Sequence, residues 1–245
     1  MKCLIMAGGF DARPYPSPPV KAKTLITHKG KSLLTHLVEK VPRGIDIMVS
    51  VNKRFEQEFR KWLLATHIHA ELLMEGSPAN ARWTGAVSAL NMWIRQMAIR
   101  DDLLVIGGDN YFEFDLRDFI AASDRVSTLV AVSDIGDVEK AAQFGVVKLA
   151  DSKIVEFAEK PRGAATSLIA AACYVFPRRV FPLLERYCSE GMQDNLGSFI
   201  AHLVAVDEVR AFVFKEQWFD IGSGLLSPPD ENTAPDISKT TGYLL

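Results

Sequence analysis

Apolar residues recur along this chain in two periods, and the two periods alternate. "CLIMA" (3–7) is a short unbroken apolar run that predicts a buried strand, closed by Gly8 and Gly9. From Lys31, "KSLLTHLVEKV" sets Leu33, Leu34, Leu37, Val38 and Val41 on one helical face. "IDIMVSV" (45–51) predicts a second strand, "KRFEQEFRKWLLAT" (53–66) a charged amphipathic helix, "AELLM" (70–74) a third strand and "TGAVSALNMWIRQMAI" (84–99) another helix. The fourth strand is "DLLVIGGDN" (102–110), whose centre, Leu103 to Ile106, is apolar on both faces, as suits a strand covered by helices on each side. This alternation predicts right-handed parallel crossovers. Ligands of such sheets bind at the carboxyl ends of the strands, and both Gly8-Gly9 and Gly108-Asp109 fall there.

The second half is richer in strands. A helix over "LRDFIAAS" leads to a strand in "VSTLVAVSD" (126–134). "GVVKLA" and "KIVEFAEK" flank "DSK" as a hairpin, and "SLIAAACYVF" adds another strand. "RRVFPLLERYC" and "DNLGSFIAHLVA" read as helices, and "VRAFVFKE" alternates like a strand before "WFDIGS". The expected fold is α/β, a Rossmann-like three-layer sandwich with a mainly parallel central sheet and a smaller strand-rich subregion at about 134–205. Residues 1–226 read as one domain, and 227–245, rich in Pro, Ser, Thr and Asp, as an irregular tail.

Composition narrows the partners. With 245 residues, 48% hydrophobic, the chain can bury a proper core, and its net charge of −2 gives no basic excess for nucleic acid or anionic lipid. Phosphate binding therefore needs a local cluster. No stretch approaches the roughly 20 apolar residues of a membrane span, and the run after Lys2 is too short for a secretory signal, so a cytoplasmic protein is expected. Cys3, Cys173 and Cys188 lack metal or redox spacing and read as reduced thiols. His67 and His69 read as an exposed strand edge.

Candidate chemistry begins at Gly8-Gly9, which lets a backbone approach an anion closely. The three-glycine dinucleotide pattern is absent, and "GKS" at 30–32 lacks the earlier glycine of a Walker A loop, since Leu25 stands there. Arg13, Lys21 and Lys23 lie on the same loop, which suits either a triphosphate or a solvated basic loop. Asp109 and Asp220 sit in apolar surroundings, where a carboxylate is costly unless paired or bound to metal; Mg²⁺ held jointly with phosphates would fit, as would a helix cap or turn.

Taken together, these segments resemble the sugar-1-phosphate nucleotidylyltransferases, the group that includes glucose-1-phosphate thymidylyltransferase, from Met1 to about Leu226. "LIMAGGFDAR" is similar to the signature strand and loop, "TGAVSAL" to the nucleotide-side helix start, and "IGGDNYF" to a metal motif. "FGVVKLADSKIVEFAEKP" is similar to the sugar-side hairpin and "WFDIGS" to the second metal motif. The resemblance implies attack of a sugar 1-phosphate oxygen on the α-phosphorus of a nucleoside triphosphate, with pyrophosphate leaving. Arg13 and Lys23 would hold phosphates, and Asp109 with Asp220 would bind Mg²⁺. Ala7, Gly8, Gly9, Asp11, Gly85 and Gly108 would line the nucleotide, with Gly85 against the base. Gly145, Glu159 and Lys160 would bind the sugar phosphate. No nucleic acid or membrane partner is implied, and relatives commonly form dimers or tetramers.

Several positions depart from the family pattern: Ala12 stands where a small hydroxyl residue is usual, and the interval from Glu75 to Gly85 is longer than in the thymidylyl enzymes, with no counterpart of their base-reading glutamine. Asp11 and Ala172 each stand where the family has glycine. Asp11 places a carboxylate beside the polyphosphate, which leaves open a silent nucleotide-binding regulator as well as an enzyme. A non-sugar acceptor, such as phosphocholine or a polyol phosphate, would use the same chemistry.

Overall fold

The structure, a computed structural model, describes residues 1–9, 22–76, 85–192 and 194–221. Its first half runs β1 (Lys2–Ala7), a small hairpin of β2 (Thr27–His28) and β3 (Lys31–Ser32), α1 (Leu33–Lys40), β4 (Asp46–Asn52), α2 (Glu56–Thr66), β5 (Glu71–Glu75), α3 (Ala86–Gln96) and β6 (Leu103–Gly107). Next come β7 (Asn110–Phe112), α4 (Leu116–Ala121), β8 (Thr128–Asp134), α5 (Val138–Ala141), and the hairpin β9 (Gly145–Ala150) and β10 (Lys153–Glu159). The chain continues through β11 (Leu168–Phe176), α6 (Phe181–Ser189), α7 (Leu196–Val206), β12 (Val209–Phe214) and β13 (Trp218–Asp220).

Nine strands form one sheet in the order β5-β4-β1-β6-β11-β8-β12-β10-β9. β5, β4, β1 and β6 are parallel, as the alternating pattern predicts. β11 then runs antiparallel to both β6 and β8, β12 is parallel to β8, and the β9–β10 hairpin adds antiparallel pairs, so the sheet as a whole is mixed. Antiparallel pairing needs no helical crossover, and between β8 and β11 the only helix is the single turn of α5, too short to leave a periodic signal.

Strand alternation sends Cys3, Ile5 and Ala7 to one face, packed with α1, α2 and α4 through Leu34, Leu37, Phe59, Trp62 and Phe119. Leu4 points to the opposite core, built with α3, α6 and α7 by Leu90, Trp93, Leu184, Phe199 and Leu203. The three-layer arrangement follows from these two buried faces.

Local differences from the sequence reading have plain causes. α1 begins at Leu33 because Ser32 caps it, its Oγ accepting the Thr35 N–H, while Lys29 and Gly30 turn the hairpin before it with φ of 46° and 78°. His67 ends α2 at φ 54° and His69 lies in the link to β5, so the pair belongs to a helix-ending loop, not to a strand edge. Cys3 and Cys173 are buried, Cys188 is partly buried, and none is in a disulfide. Among the described residues no helix is long and apolar enough to cross a membrane. The proposed tail at 227–245 lies outside the described residues.

Candidate active site

At the carboxyl end of β6 the chain turns back into β7, which pairs antiparallel with β13 so that Asp220 faces Asn110. The Ile221 N–H donates to the Asp109 carbonyl at 3.0 Å, and this closes the ladder beside Asp109. Two carboxylates distant in sequence are thereby brought to one place. Asn110, 2% exposed, is the hub: its Nδ2 donates to Gly107 O (3.3 Å) and Asp109 Oδ1 (3.2 Å), and its Oδ1 accepts from Trp218 Nε1 (2.9 Å). An Asn110→Ala variant would strand the buried indole N–H and the Gly107 carbonyl. Chemical denaturation is expected to show a loss of about 2–4 kcal/mol, and an unchanged midpoint would disprove this bridging role.

Asp109 and Asp220 line a cavity of about 190 Å³. Its far wall comes from the β9–β10 hairpin, the β11 bulge and the start of α7. Gly145 and Glu159 pair across the hairpin, and a Cβ at Gly145 would collide with the Phe157 ring. The Glu159 carboxylate lies against Gly197, the second residue of α7, so closely that any Cβ there would strike it. Burial pushes the Glu159 carboxyl above its usual range, while neighbouring Lys160 pulls the other way with the weaker hand. Lys160 takes a left-handed turn, φ 44°, with its N–H donating to Phe144 O at 3.0 Å. Ala172 also has positive φ, 45°, within the bulge that interrupts β11. Tyr174 lines the same cavity, and burial together with the Glu159 and Asp109 carboxylates raises its phenol far out of reach, so it stays a neutral hydroxyl.

The glycine turn follows β1, the strand paired with β6, after which Asp109 lies. Ala7 is buried at the end of β1, Gly9 is open, and Gly8 faces the Glu75 carboxylate. Gly108 is a close-packing glycine: its N–H donates to Met6 O at 2.9 Å, and a Cβ would press on Thr24 and the Met6 carbonyl. Lys23 opens a single 3₁₀ turn, Lys23–Leu25. Gly85 precedes α3, where its N–H and that of Ser88 are both accepted by the Asp194 carboxylate, at 3.0 and 2.9 Å. Asp11 and Arg13 lie outside the described residues.

The structure thus gathers Asp109, Asp220, Gly145, Glu159 and Lys160 at one cavity. It places Ala7, Gly8, Gly9 and Gly108 at the neighbouring strand ends. Sequence reasoning missed Glu75, Asn110, Tyr174, Asp194, Asn195 and Gly197. The last three were legible in part, since "DNLG" before an apolar periodic run is a helix-start signal. Among the described residues no group of three His, Cys, Asp or Glu side chains is placed to hold a metal by itself. The Asp109–Asp220 pair offers hard oxygen ligands that would share a cation with a bound phosphate.

The sheet thus carries a glycine turn at the end of β1 and, after the neighbouring β6, a cavity lined by two carboxylates distant in sequence. The chain belongs to the nucleotidyl transferase family of enzymes, whose sequence profile it matches over residues 2–224. It is 29% identical over 224 residues to the bifunctional protein GlmU of Methanocaldococcus jannaschii, covering 91% of this chain and 51% of that protein. With the bifunctional protein GlmU of Methanococcus maripaludis strain C7 it shares 27% over 250 residues, 100% of this chain and 57% of that one. The chain therefore spans about half the length of the curated relatives it matches. Among solved structures, a candidate glucose-1-phosphate thymidylyltransferase from Bacillus anthracis, in complex with sucrose, superposes with a TM-score of 0.74 at 22% identity, covering 90% of this chain and 89% of that one. The inositol-1-phosphate CTP transferase from T. maritima gives 0.73 at 16% identity, with 90% and 89% covered. Both show the same fold.

Proposed function

We propose that this chain joins a nucleoside triphosphate to a sugar 1-phosphate, giving a nucleoside diphosphate sugar and pyrophosphate. The observation that carries the reading is the single cavity that unites Asp109, Asp220, Gly145, Glu159 and Lys160 from four separate stretches of sequence. The acceptor's phosphate oxygen attacks the α-phosphorus, the bond from that phosphorus to the β-phosphate bridging oxygen breaks, and the electron pair leaves on pyrophosphate. Such a reaction asks for alignment and charge neutralisation more than covalent help.

Lys160 would hold the acceptor phosphate, and the Glu159 carboxylate would accept from sugar hydroxyls, with Tyr174 supplying a neutral donor. Because burial raises the Glu159 carboxyl, acid would neutralise it sooner than a surface glutamate, and acceptor binding would weaken with it. Arg13 and Lys23 would bind the triphosphate beside Gly8 and Gly9, and Asp11 would sit among those charges. Asp109 and Asp220 would suit Mg²⁺, since both are hard carboxylate donors lining the one cavity. When bound, the ion would offset the negative charge that the two substrates bring together.

Residues 1–226 would form the transferase domain, with 134–205 its acceptor side, working in the cytoplasm where triphosphates are made. A cyclic polyol phosphate is the second reading for the acceptor, favoured by the likeness to the inositol-1-phosphate enzyme. Pyrophosphate release, measured with Mg²⁺ over a grid of nucleoside triphosphates against hexose 1-phosphates and inositol 1-phosphate, tests both. Release with one hexose 1-phosphate supports the first, release with inositol 1-phosphate alone supports the second, and none on the grid refutes both.

A further inference from the structure

Two substrates react only where the walls that hold them are fixed to one another, and here those walls come from distant parts of the sheet. The glycine turn follows β1, while the β9–β10 hairpin stands at the far end of the strand order. The shortest path through the sheet runs β1, β6, β11, β9, and its last link is the one position where Ile169 pairs with Val146.

A second path runs through the helices, and it passes through Asp194. Because β5, β4, β1 and β6 are parallel, α3, which follows β5 and precedes β6, starts at the carboxyl ends of those strands, the side of Gly8. Its N-cap, Gly85, has no side chain to accept the N–H groups of the first turn. The carboxylate of Asp194 does so instead from 109 residues away, one oxygen accepting the Gly85 N–H and the other that of Ser88. Gly85 packs so closely there that a Cβ would strike both the Asp194 side chain and its carbonyl. The next residue, Asn195, caps the other helix: its Oδ1 accepts the Ser198 N–H at 2.7 Å and starts α7. Asn195, Leu196 and Gly197 line the cavity, with the Glu159 carboxylate against Gly197. Two adjacent residues thus cap two helices, one on each side of the cleft. Behind them, Val87 and Leu90 of α3 share a core with Leu196, Phe199 and Leu203 of α7. Asp194 itself is exposed and lies outside the cavity lining.

Resting on the nucleotidyl-transfer reading, we propose that Asp194 is a positioning residue for the transfer step. It touches neither substrate, and by holding the start of α3 to the start of α7 it keeps the acceptor oxygen in line with the α-phosphorus. Such alignment is felt in the rate before it is felt in binding, because a misplacement of about 1 Å can cost roughly 10²-fold.

The test is single-turnover pyrophosphate release with Mg²⁺, using the triphosphate and acceptor that give release on the substrate grid, for the native chain, Asp194→Ala and Asp194→Asn. Alanine removes both acceptor oxygens, whereas asparagine keeps one and turns an amide toward the other N–H. The rate at saturation should fall roughly 10- to 100-fold in Asp194→Ala and by a smaller factor in Asp194→Asn, while the half-saturating concentration of each substrate stays within about threefold of native. Loss of an exposed cap should lower the melting temperature by only a few degrees. A saturating rate within about twofold of native in folded Asp194→Ala would overturn the proposal, and if that variant does not fold, the same result in Asp194→Asn would do so. A kept rate with a raised half-saturating concentration for the acceptor would overturn it too, since Asp194 would then shape the pocket and not the alignment. Either result leaves nucleotidyl transfer standing, whereas no release from the native chain anywhere on the grid removes that reading and this one together.

Discussion

Asp109→Asn is expected to lower Mg²⁺-dependent pyrophosphate release by about 10³-fold or more, with the melting temperature nearly unmoved. Asparagine keeps the shape of the side chain and can still meet the Asn110 amide through its oxygen, so the Asn110–Trp218 bridge survives. What disappears is one of the two carboxylates proposed to share the ion. Asp220→Asn should behave alike, and the double variant should be little worse than either single one, because a shared ion is lost at the first substitution. Turnover retained in either single variant would show that the pair does not hold the cation. A large fall in melting temperature would show instead that Asp109 serves the fold.

Gly197→Ala is the second large expected effect, and stability and function should move in opposite directions. Alanine is the better helix former by about 1 kcal/mol, and Gly197 lies in the first turn of α7, so the melting temperature should hold or rise. The new methyl group, however, occupies the place of the Glu159 carboxylate. That carboxylate ends a flexible side chain and can be displaced, which spares the fold and spoils the acceptor pocket. The KM for the sugar phosphate should rise roughly 10- to 100-fold, with the triphosphate KM little changed. An unaltered acceptor KM would mean that Glu159 does not touch the acceptor. A matching rise for both substrates would point to a general distortion of the cleft.

The parallel half of the sheet was open to reading because β1, β4, β5 and β6 are short apolar runs separated by helices of clear 3.6-residue period. The antiparallel insertion of β11 was not, since "SLIAAACYVF" is apolar on both faces and carries no sign of its direction. Within the site, Asp109 and Asp220 stood out because charge in an apolar run is conspicuous. Glu75 did not: it follows "ELLM" as an ordinary polar strand end, and only its reach across Ser50 to Gly8 distinguishes it. The helix start at Gly197 could be read, but the glycine's packing role was hidden for a related reason. A glycine in the first turn of a helix looks like a weakness of the helix until the carboxylate packed against it is seen. Gly108 was legible as a glycine after a strand, but its close fit against Met6 and Thr24 gives it a packing reason that only the structure shows.

The ladder between β7 and β13 also governs when the site can exist. Asn110 and Trp218 meet only after β13 has been made, so an intermediate that holds the parallel half of the sheet carries Asp109 without Asp220 beside it. Closing so long a loop is entropically slow. Under the proposed function, affinity for triphosphate should therefore wait for the synthesis of β13, well after the parallel half of the sheet is made.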